Sequence, residues 1–288
     1  MVVRINKKIQ IIKKKKLNIS DEIKNKIDVF WKEQVKRNPH LFNGEVWSVS
    51  NFEEVQDRII ITIQKTNYAH YLFDERVGLE GNNGCYNLNC GILLETKDGY
   101  YVIGEMADST SYPRGLQISG GNLDQNDINP DGKVDIINNV SRELKEELNI
   151  DLLDSNLVTE YQMKYMEKPQ GRRHAYTLMM KGKLMITSSQ MKERYKEYKE
   201  KLEKDGEDVE FKKIHFIRKA NALQELSNLE NPKRPYLKDL IDLDSREWKE
   251  IDLSIIYDNT VYPIEIKKSY NQEKHYRNIT KVLNFYYV

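Results

Sequence analysis

Three glutamates lie close together in the stretch SRELKEELNI, residues 141–150. On a helix, Glu143, Glu146 and Glu147 occupy positions i, i+3 and i+4, so they share one face. Their charges repel one another, and a divalent cation would relieve that repulsion. Mg²⁺ is typically bound by a few carboxylates together with water and substrate phosphate oxygens. The alternative is a solvated acidic helix face, and the glutamates alone do not decide between the two interpretations.

A helix over residues 136–148 is predicted to carry these glutamates. Apolar residues at helical spacing form a stripe that should face the core: Ile137, Val140, Leu144 and Leu148. A predicted strand before this helix ends at Gly120 and Gly121, and a polar loop connects the two. Glycine allows the backbone to approach a ligand closely, which leaves a carbonyl oxygen available for a metal.

The segment from Gly120 to Ile150 resembles the Nudix box, G-x5-E-x7-R-E-U-x-E-E-x-G-U, where U is a bulky aliphatic residue. The second half of the box matches RELKEELNI, which begins at Arg142. Asn149 stands where the family has glycine, and asparagine is the next best residue for a left-handed helix end. The flanking segments of residues 88–241 also resemble the family.

The first half of the box departs from the family pattern in its spacing. The segment from Gly121 to Arg142 is seven residues too long, which indicates an insertion. Asp127 keeps the family spacing from Gly121, and Asp135 nearly keeps the spacing to Arg142. Either aspartate is therefore a candidate for the first-half glutamate.

The resemblance implies hydrolysis of a nucleoside diphosphate linked to another moiety, such as a nucleotide sugar or ADP-ribose. It implies Mg²⁺, with Mn²⁺ as an alternative, bound by Glu143, Glu146, Glu147 and the Gly120 carbonyl. Arg142 is expected to orient Glu143 through an ion pair. The implied partner is a small nucleotide substrate.

The catalytic base and the substrate-binding residues are less defined by the sequence. Glu143 is one candidate base, and Glu207 and Glu210 in the later stretch EDVEF are others. Tyr112 is predicted to stack on a substrate ring, with a packing role as the alternative. Two arginines in a turn are predicted to meet phosphates, with an exposed basic turn as the alternative: Arg172 and Arg173.

Composition limits the other classes of function. The chain has 288 residues, of which 46 are basic and 45 acidic, giving a net charge of +1. This balance argues against nucleic acid or membrane as a general partner. No run approaches the ~18 apolar residues of a membrane span, and the basic start lacks the apolar stretch of a signal peptide. We therefore expect a cytoplasmic protein, and a homodimer is compatible with the sequence.

The order of predicted elements indicates an α+β protein. Strands are predicted near 3–12, 57–65, 158–166, 174–184 and 211–217, with a hairpin over 88–106. The resemblance implies an α/β/α sandwich with a mixed sheet between helices. We predict an N-terminal extension over 1–87, a Nudix domain over 88–241 and a C-terminal appendage over 242–288.

The tail EWKEIDLSIIYDNTVYPIEIKKS, residues 247–269, predicts two strands joined by a turn. Asp252, Glu265 and Lys267 form a D…E-x-K arrangement that resembles part of the core of the PD-(D/E)xK nuclease superfamily. One alternative function is therefore a metal-dependent nuclease or defence-type protein that uses this tail. Another is a catalytically inactive Nudix protein that binds a nucleotide.

Overall fold

The computed structural model describes residues 1–14, 17–79, 81–170, 174–246, 253–257 and 260–264. The chain divides into two compact units, Met1–Arg246 and Glu247–Val288. In the second unit, Leu253–Tyr257 and Thr260–Ile264 pair as antiparallel strands, which confirms the hairpin predicted for the tail. The residues on which the nuclease resemblance depends lie outside the described part of the chain: Asp252, Glu265 and Lys267.

Eleven strands of the first unit form one mixed sheet. In chain order they are β1 (Val2–Arg4), β2 (Lys8–Lys13), β3 (Glu45–Glu54), β4 (Arg58–Asn67), β5 (Asn87–Glu95), β6 (Tyr100–Met106), β7 (Leu116–Gln117), β8 (Ser119–Asn122), β9 (Val158–Glu167), β10 (Ala175–Leu184) and β11 (Phe211–Arg218). Strand β5 pairs in parallel with β10 along its whole length and antiparallel with β8 and β6. Strand β1 pairs with β9 and β3 with β5, so residues 1–87 and 88–241 contribute to the same sheet.

Helices cover both faces of this sheet. The described part contains α1 (Asp21–Arg37), α2 (Tyr68–Val77), α3 (Ile136–Leu148), α4 (Ser188–Asp205), α5 (Ala222–Asn228) and α6 (Pro235–Ser245). Alternation along β5 directs Leu88, Cys90 and Ile92 toward the core under α3 and α4, and Leu93 toward the core under α5 and α6. The predicted α+β class with an α/β/α sandwich is confirmed. Among the described helices, none combines the length and the apolar character needed to cross a membrane.

The structure differs from the sequence prediction in three details. The predicted strand over 3–12 is two strands, because β1 pairs with β9 while β2 pairs with β4. Ile137, predicted to be buried, is 45% exposed. Ile136 packs against the core instead, and Asn139 beside it donates a hydrogen bond to Oδ2 of Asp127, so the preceding loop covers that side of α3. The predicted boundary between residues 241 and 242 falls inside α6.

A buried network of charges attaches α6 to the sheet. Asp244 is fully buried and accepts hydrogen bonds from the Tyr101 and Tyr165 hydroxyls at 2.5 and 2.6 Å. Lys181 Nζ lies 3.0 Å from Asp244 Oδ2 and 2.8 Å from Glu95 Oε2. Burial alone would raise the pKa of Asp244, but Lys181 and the two hydroxyls outweigh it and lower the pKa. The ionised carboxylate therefore belongs to the folded state.

Candidate metal and ligand site

Helix α3 begins and ends with defined caps. The Asp135 side chain accepts a hydrogen bond from the Asn138 N–H at 2.9 Å, which satisfies one free donor of the first turn. Asn149 adopts a left-handed conformation with φ of 53°, which asparagine tolerates better than most residues. Val140 and Leu144 are fully buried beneath the helix. These caps and contacts fix which side of α3 faces the glycine pair of β8.

The glycine pair brings β8 close to both β5 and α3. Gly120 has a φ of 145°, and a Cβ atom there would collide with the Cys90 carbonyl of β5. At Gly121 a Cβ atom would lie 2.5 Å from Oε1 of Glu143. The Gly120 N–H donates to Oε2 of Glu147 at 2.9 Å. The glycine backbone thus lies against both glutamates, while its predicted close approach to a ligand and metal coordination by the Gly120 carbonyl stay predictions.

The three glutamates of α3 have different surroundings. Glu147 is buried, the Glu143 side chain is 13% exposed, and the Glu146 side chain is 59% exposed. Burial, with Arg142 opposing it and Glu210 adding to it, raises the pKa of Glu143 to about 7. Burial and the nearby Glu210 and Glu143 also raise the pKa of Glu147 well above its usual range. An ordinary solvated acidic face does not produce these shifts.

The surroundings of Glu147 fit a cation. Its Oε1 atom is buried and accepts no hydrogen bond of normal geometry, which is costly for a carboxylate, although the nearby Ser119 hydroxyl acts to lower its pKa. A divalent cation between Glu147 and Glu143 would satisfy that oxygen and neutralise the repulsion. Within the described ranges, however, no three acidic, histidine or cysteine side chains already converge on one metal position. The exposed Glu146, which lies 3.4 Å from Arg142, is the ligand that would have to turn inward.

Arg142 joins the acidic residues around α3. One terminal nitrogen lies 2.9 Å from Glu143 Oε1, and the other lies 3.3 Å from Oδ2 of the fully buried Asp127. Burial works against the guanidinium charge, but Glu143 and Asp127 outweigh it and raise the pKa of Arg142. The geometry thus contains the expected ion pair between Arg142 and Glu143. It also gives the two candidate aspartates different positions: Asp127 lies beside Arg142, whereas Asp135 caps the helix.

The extra residues between the glycine pair and Arg142 form a closed turn. Ile128 and Val134 form an antiparallel bridge, and the Asp135 N–H donates to the Asp127 carbonyl at 2.7 Å. The segment 128–134 therefore leaves and returns to nearly the same point. Its seven residues account for the whole excess length of the motif.

A cavity of about 640 Å³ opens beside the glycine pair. Ligand pockets for small molecules usually have ~300–1,000 Å³. Glu143, Gly120 and Gly121 line one part of it, together with Glu210 from the loop before β11. Glu210 is accessible to solvent inside the cavity, yet the surrounding protein and the charge of Glu146 raise its pKa. Of the two later base candidates, Glu210 lines the cavity beside Glu143, whereas Glu207 is an exposed residue outside the lining.

Other lining residues are ones that the sequence did not identify. They come from the N-terminal segment, β10 and the start of α6 and include Phe42, Glu45, Tyr68, Tyr71, Thr177, Arg234 and Tyr236. The rings of Tyr68 and Tyr71 lie 5.6 Å apart, and Phe42 is 82% exposed at the cavity surface. These aromatic residues lie far in sequence from the glutamates of α3. Only the order of the strands shows that they line the same cavity as Glu143.

The structure describes one of the three predicted substrate-binding residues, Tyr112. Tyr112 packs its ring under Arg234, whose guanidinium carbon lies 4.4 Å from the ring centroid. Arg172 and Arg173 lie outside the described residues. The neighbouring His174 pairs with Asp74 at 2.7 Å and stacks on Tyr86, outside the cavity lining.

Gly121→Ala is expected to weaken Mg²⁺ binding by about tenfold or more while the protein stays folded. The added Cβ would meet the end of the Glu143 side chain, which can move, rather than backbone. Displacing one carboxylate from its orientation typically costs about 10–100-fold in metal affinity. Isothermal titration of Mg²⁺ measures the affinity, and the melting temperature serves as the folding control. Equal affinities in the variant and the wild type would contradict the placement of Glu143.

Comparison with known proteins gives distant similarities. No family model matches this chain, and no curated protein matches it either. A crystal structure from Deinococcus radiodurans is 12% identical and covers 69% of this chain and 98% of that chain, with a TM-score of 0.42. A Nudix hydrolase from Nitrosomonas europaea is 15% identical and covers 55% and 86%, with a TM-score of 0.34. A bifunctional NMN adenylyltransferase/ADP-ribose pyrophosphatase from Francisella tularensis, complexed with AMP and a manganese ion, is 12% identical and covers 54% and 40%, with a TM-score of 0.35.

Proposed function

We propose that this protein is a Mg²⁺-dependent pyrophosphohydrolase of the Nudix type, which cleaves a nucleoside diphosphate linked to another moiety. The observation that carries the proposal is the buried Glu147, whose Oε1 accepts no hydrogen bond of normal geometry and which lies beside Glu143 and the glycine pair. A buried carboxylate oxygen that lacks a hydrogen bond destabilises the folded protein unless a ligand satisfies it. A divalent cation is the ligand whose charge and oxygen preference fit this position.

The arrangement of the Nudix motif supports the same assignment. When the closed turn 128–134 is left out, five residues separate Gly121 from Asp127, and seven residues separate Asp127 from Arg142. These are the spacings of the Nudix box. Asp127 then occupies the position of the first-half glutamate and contacts Arg142. We therefore assign Asp127, rather than Asp135, to that position.

The side chains of the site have different proposed roles. Glu143, Glu146, Glu147 and the Gly120 carbonyl would hold the metal, which when bound neutralises phosphate charge and stabilises the leaving group. Arg142 keeps Glu143 in place through the 2.9 Å ion pair. Glu210 lines the same cavity as Glu143 and is the proposed general base, because a base must lie within reach of the reacting groups. Mn²⁺ is an alternative ion, and a cytoplasmic location and a homodimer are expectations from the sequence alone.

A substrate panel with one matched pair of variants tests this function. The panel contains nucleotide sugars, ADP-ribose, dinucleoside polyphosphates and deoxynucleoside triphosphates, each with and without Mg²⁺. We expect metal-dependent release of a nucleoside monophosphate from at least one compound, and we expect Glu146→Gln to reduce it at least tenfold. Glu193→Gln on the exposed side of α4 is the control and should keep full activity.

The outcomes separate the proposed function from its alternatives. Unchanged hydrolysis in Glu146→Gln would contradict the metal site on α3. Melting-temperature shifts with the same compounds, but without turnover, would instead indicate a nucleotide-binding protein that has lost catalysis. Nicking of plasmid DNA that disappears in Glu265→Ala would indicate that the tail acts as a nuclease.

A further inference from the structure

We propose that Arg234 is an anion-binding residue of the cavity, held in position by Tyr112, and that it contacts phosphate oxygens of the ligand. The proposal rests on the function proposed above, because it takes the ligand to carry a diphosphate. It adds the residue that immediately precedes α6 and that lies far in sequence from the glutamates of α3. It also gives Tyr112 a supporting role rather than a direct contact with the ligand.

The charge distribution in the cavity calls for such a residue. Carboxylates are the most numerous charged side chains of its described lining: Glu45, Asp124, Glu143, Asp208 and Glu210. The basic side chains in the same part of the lining are Arg234 and His40. Arginine stays protonated at every physiological pH, and its planar group matches phosphate oxygens. A diphosphate that enters this cavity therefore meets one permanent positive side chain among the described lining residues, besides any bound metal.

Three contacts hold the Arg234 side chain. Its Nε donates to Gln117 Oε1 at 3.2 Å, and its guanidinium lies over the Tyr112 ring at 4.4 Å. One terminal nitrogen, Nη1, lies 3.7 Å from Glu75 Oε1. Among the described residues, the other terminal nitrogen, Nη2, has no hydrogen-bond or ion-pair partner. Its two N–H groups are therefore available to a ligand. A guanidinium that is already oriented loses little conformational entropy on binding.

The position of Tyr112 follows from this arrangement. A Cβ atom at Gly115 would collide with the Tyr112 ring, so the glycine creates the space in which the ring lies. The ring face then supports the guanidinium from one side, as aromatic rings commonly do for arginine. Tyr112 is a positioning residue here, because it acts through Arg234.

A purely structural role for Arg234 is the competing explanation. Arg234 could connect α6 to α2 through Glu75. Glu75 already accepts a hydrogen bond from the Tyr71 hydroxyl at 3.0 Å, which is closer than Arg234. A structural role predicts lower stability in the variant and an equal loss for every ligand. A binding role predicts a loss confined to anionic ligands.

Isothermal titration calorimetry with methylenediphosphonate, a non-hydrolysable diphosphate, distinguishes the two roles in the full-length protein. In the presence of Mg²⁺, Arg234→Met should bind this probe at least tenfold more weakly, as expected for loss of a hydrogen bond to a charged group. Arg234→Lys should lose less. Affinity for Mg²⁺ alone and the melting temperature should stay the same. Arg218→Met is the matched control, because Arg218 also lies over a tyrosine ring, that of Tyr100, but outside the cavity lining.

Variants of Tyr112 test the positioning role. Tyr112→Phe keeps the ring and should bind the probe like the wild type, whereas Tyr112→Leu should bind it several-fold more weakly. If Tyr112→Leu weakens binding while Arg234→Met does not, the proposal is overturned and Tyr112 contacts the ligand itself.

The remaining outcomes separate this proposal from the proposed function. Hydrolysis of a panel compound with unchanged probe binding in Arg234→Met would overturn the anion site alone. Loss of probe binding in Arg234→Met without hydrolysis of any compound would overturn the proposed reaction and leave the anion site standing. A parallel loss of melting temperature or Mg²⁺ affinity in Arg234→Met, or no probe binding by the wild type, would overturn the anion site.

Discussion

Glu147→Gln is expected to lower the Mg²⁺-dependent hydrolysis rate by about a thousandfold. Removing the buried carboxylate takes away a metal ligand, and metal stabilisation of the transition state is worth several kcal/mol, with about 1.4 kcal/mol for each factor of ten. Glutamine keeps the oxygen that accepts the Gly120 N–H, so the contact between α3 and β8 survives. Steady-state kinetics on the best substrate of the panel measures the loss of rate. Titration with Mg²⁺ measures the loss of metal affinity.

The same substitution should leave the metal-free protein at least as stable as the wild type. The wild-type side chain places a carboxylate oxygen in the interior without a donor, and a neutral amide relieves part of that cost. Urea unfolding in EDTA measures the free energy of unfolding for both proteins. Glu197→Gln, on the exposed side of α4, should change neither activity nor stability. A large loss of stability in Glu147→Gln without metal would show that the carboxylate is structural rather than a metal ligand.

Asp244→Ala is expected to lower the free energy of unfolding of the first unit by about 3–5 kcal/mol. Removing one partner of a buried ion pair leaves the other charge uncompensated, and this costs far more than losing a surface pair. Here Lys181 would keep only Glu95, and the hydroxyls of Tyr101 and Tyr165 would lose their acceptor. Urea unfolding at neutral pH measures the difference. Asp239→Ala, on the exposed side of the same helix, should stay close to the wild type.

The contribution of Asp244 should also depend on pH in a defined direction. Its pKa in the folded protein is lowered, whereas an aspartate in an unfolded chain titrates near ~3.9. The stabilisation is therefore complete above that value and is lost as the pH falls below it. Wild-type stability should decline between about pH 5 and pH 3 more steeply than that of Asp244→Ala. Parallel curves for the two proteins over this range would contradict an ionised Asp244 in the folded state.

Much of the secondary structure can be predicted from local patterns. Helix α3 spans the residues that the apolar periodicity predicts, and α1 begins after Ser20, a residue type that commonly caps helix starts. Helix α2 has no such pattern. Its residues from Ala69 to Asp74 are all buried, so no polar face alternates with an apolar one. Burial on every side is decided by the packing of α1 and the sheet, which a local window does not contain.

The candidate site likewise has features that local sequence predicts and features that it does not predict. Helical spacing predicts that Glu143 and Glu147 share a face, but their burial depends on β8, which is brought against α3 by its pairing with β5. Arg234 has no local signal, because it reaches the cavity only through the pairing of distant segments around β7 and α6. Spacing along the chain thus predicts the proposed metal-binding face, whereas the residues that would recognise the rest of the ligand depend on the order of the strands.

The bridged turn over residues 128–134 has a consequence for how this chain can vary in length. Its two ends meet at the hydrogen bond between Asp135 and Asp127, so residues can be gained or lost between them without shifting either aspartate. Extending a loop whose ends are already joined adds little entropic cost. Segment 128–134 is therefore a natural point for grafting a peptide or a fluorophore within reach of Arg142, and a sequence pattern with fixed spacing would overlook chains that differ only here.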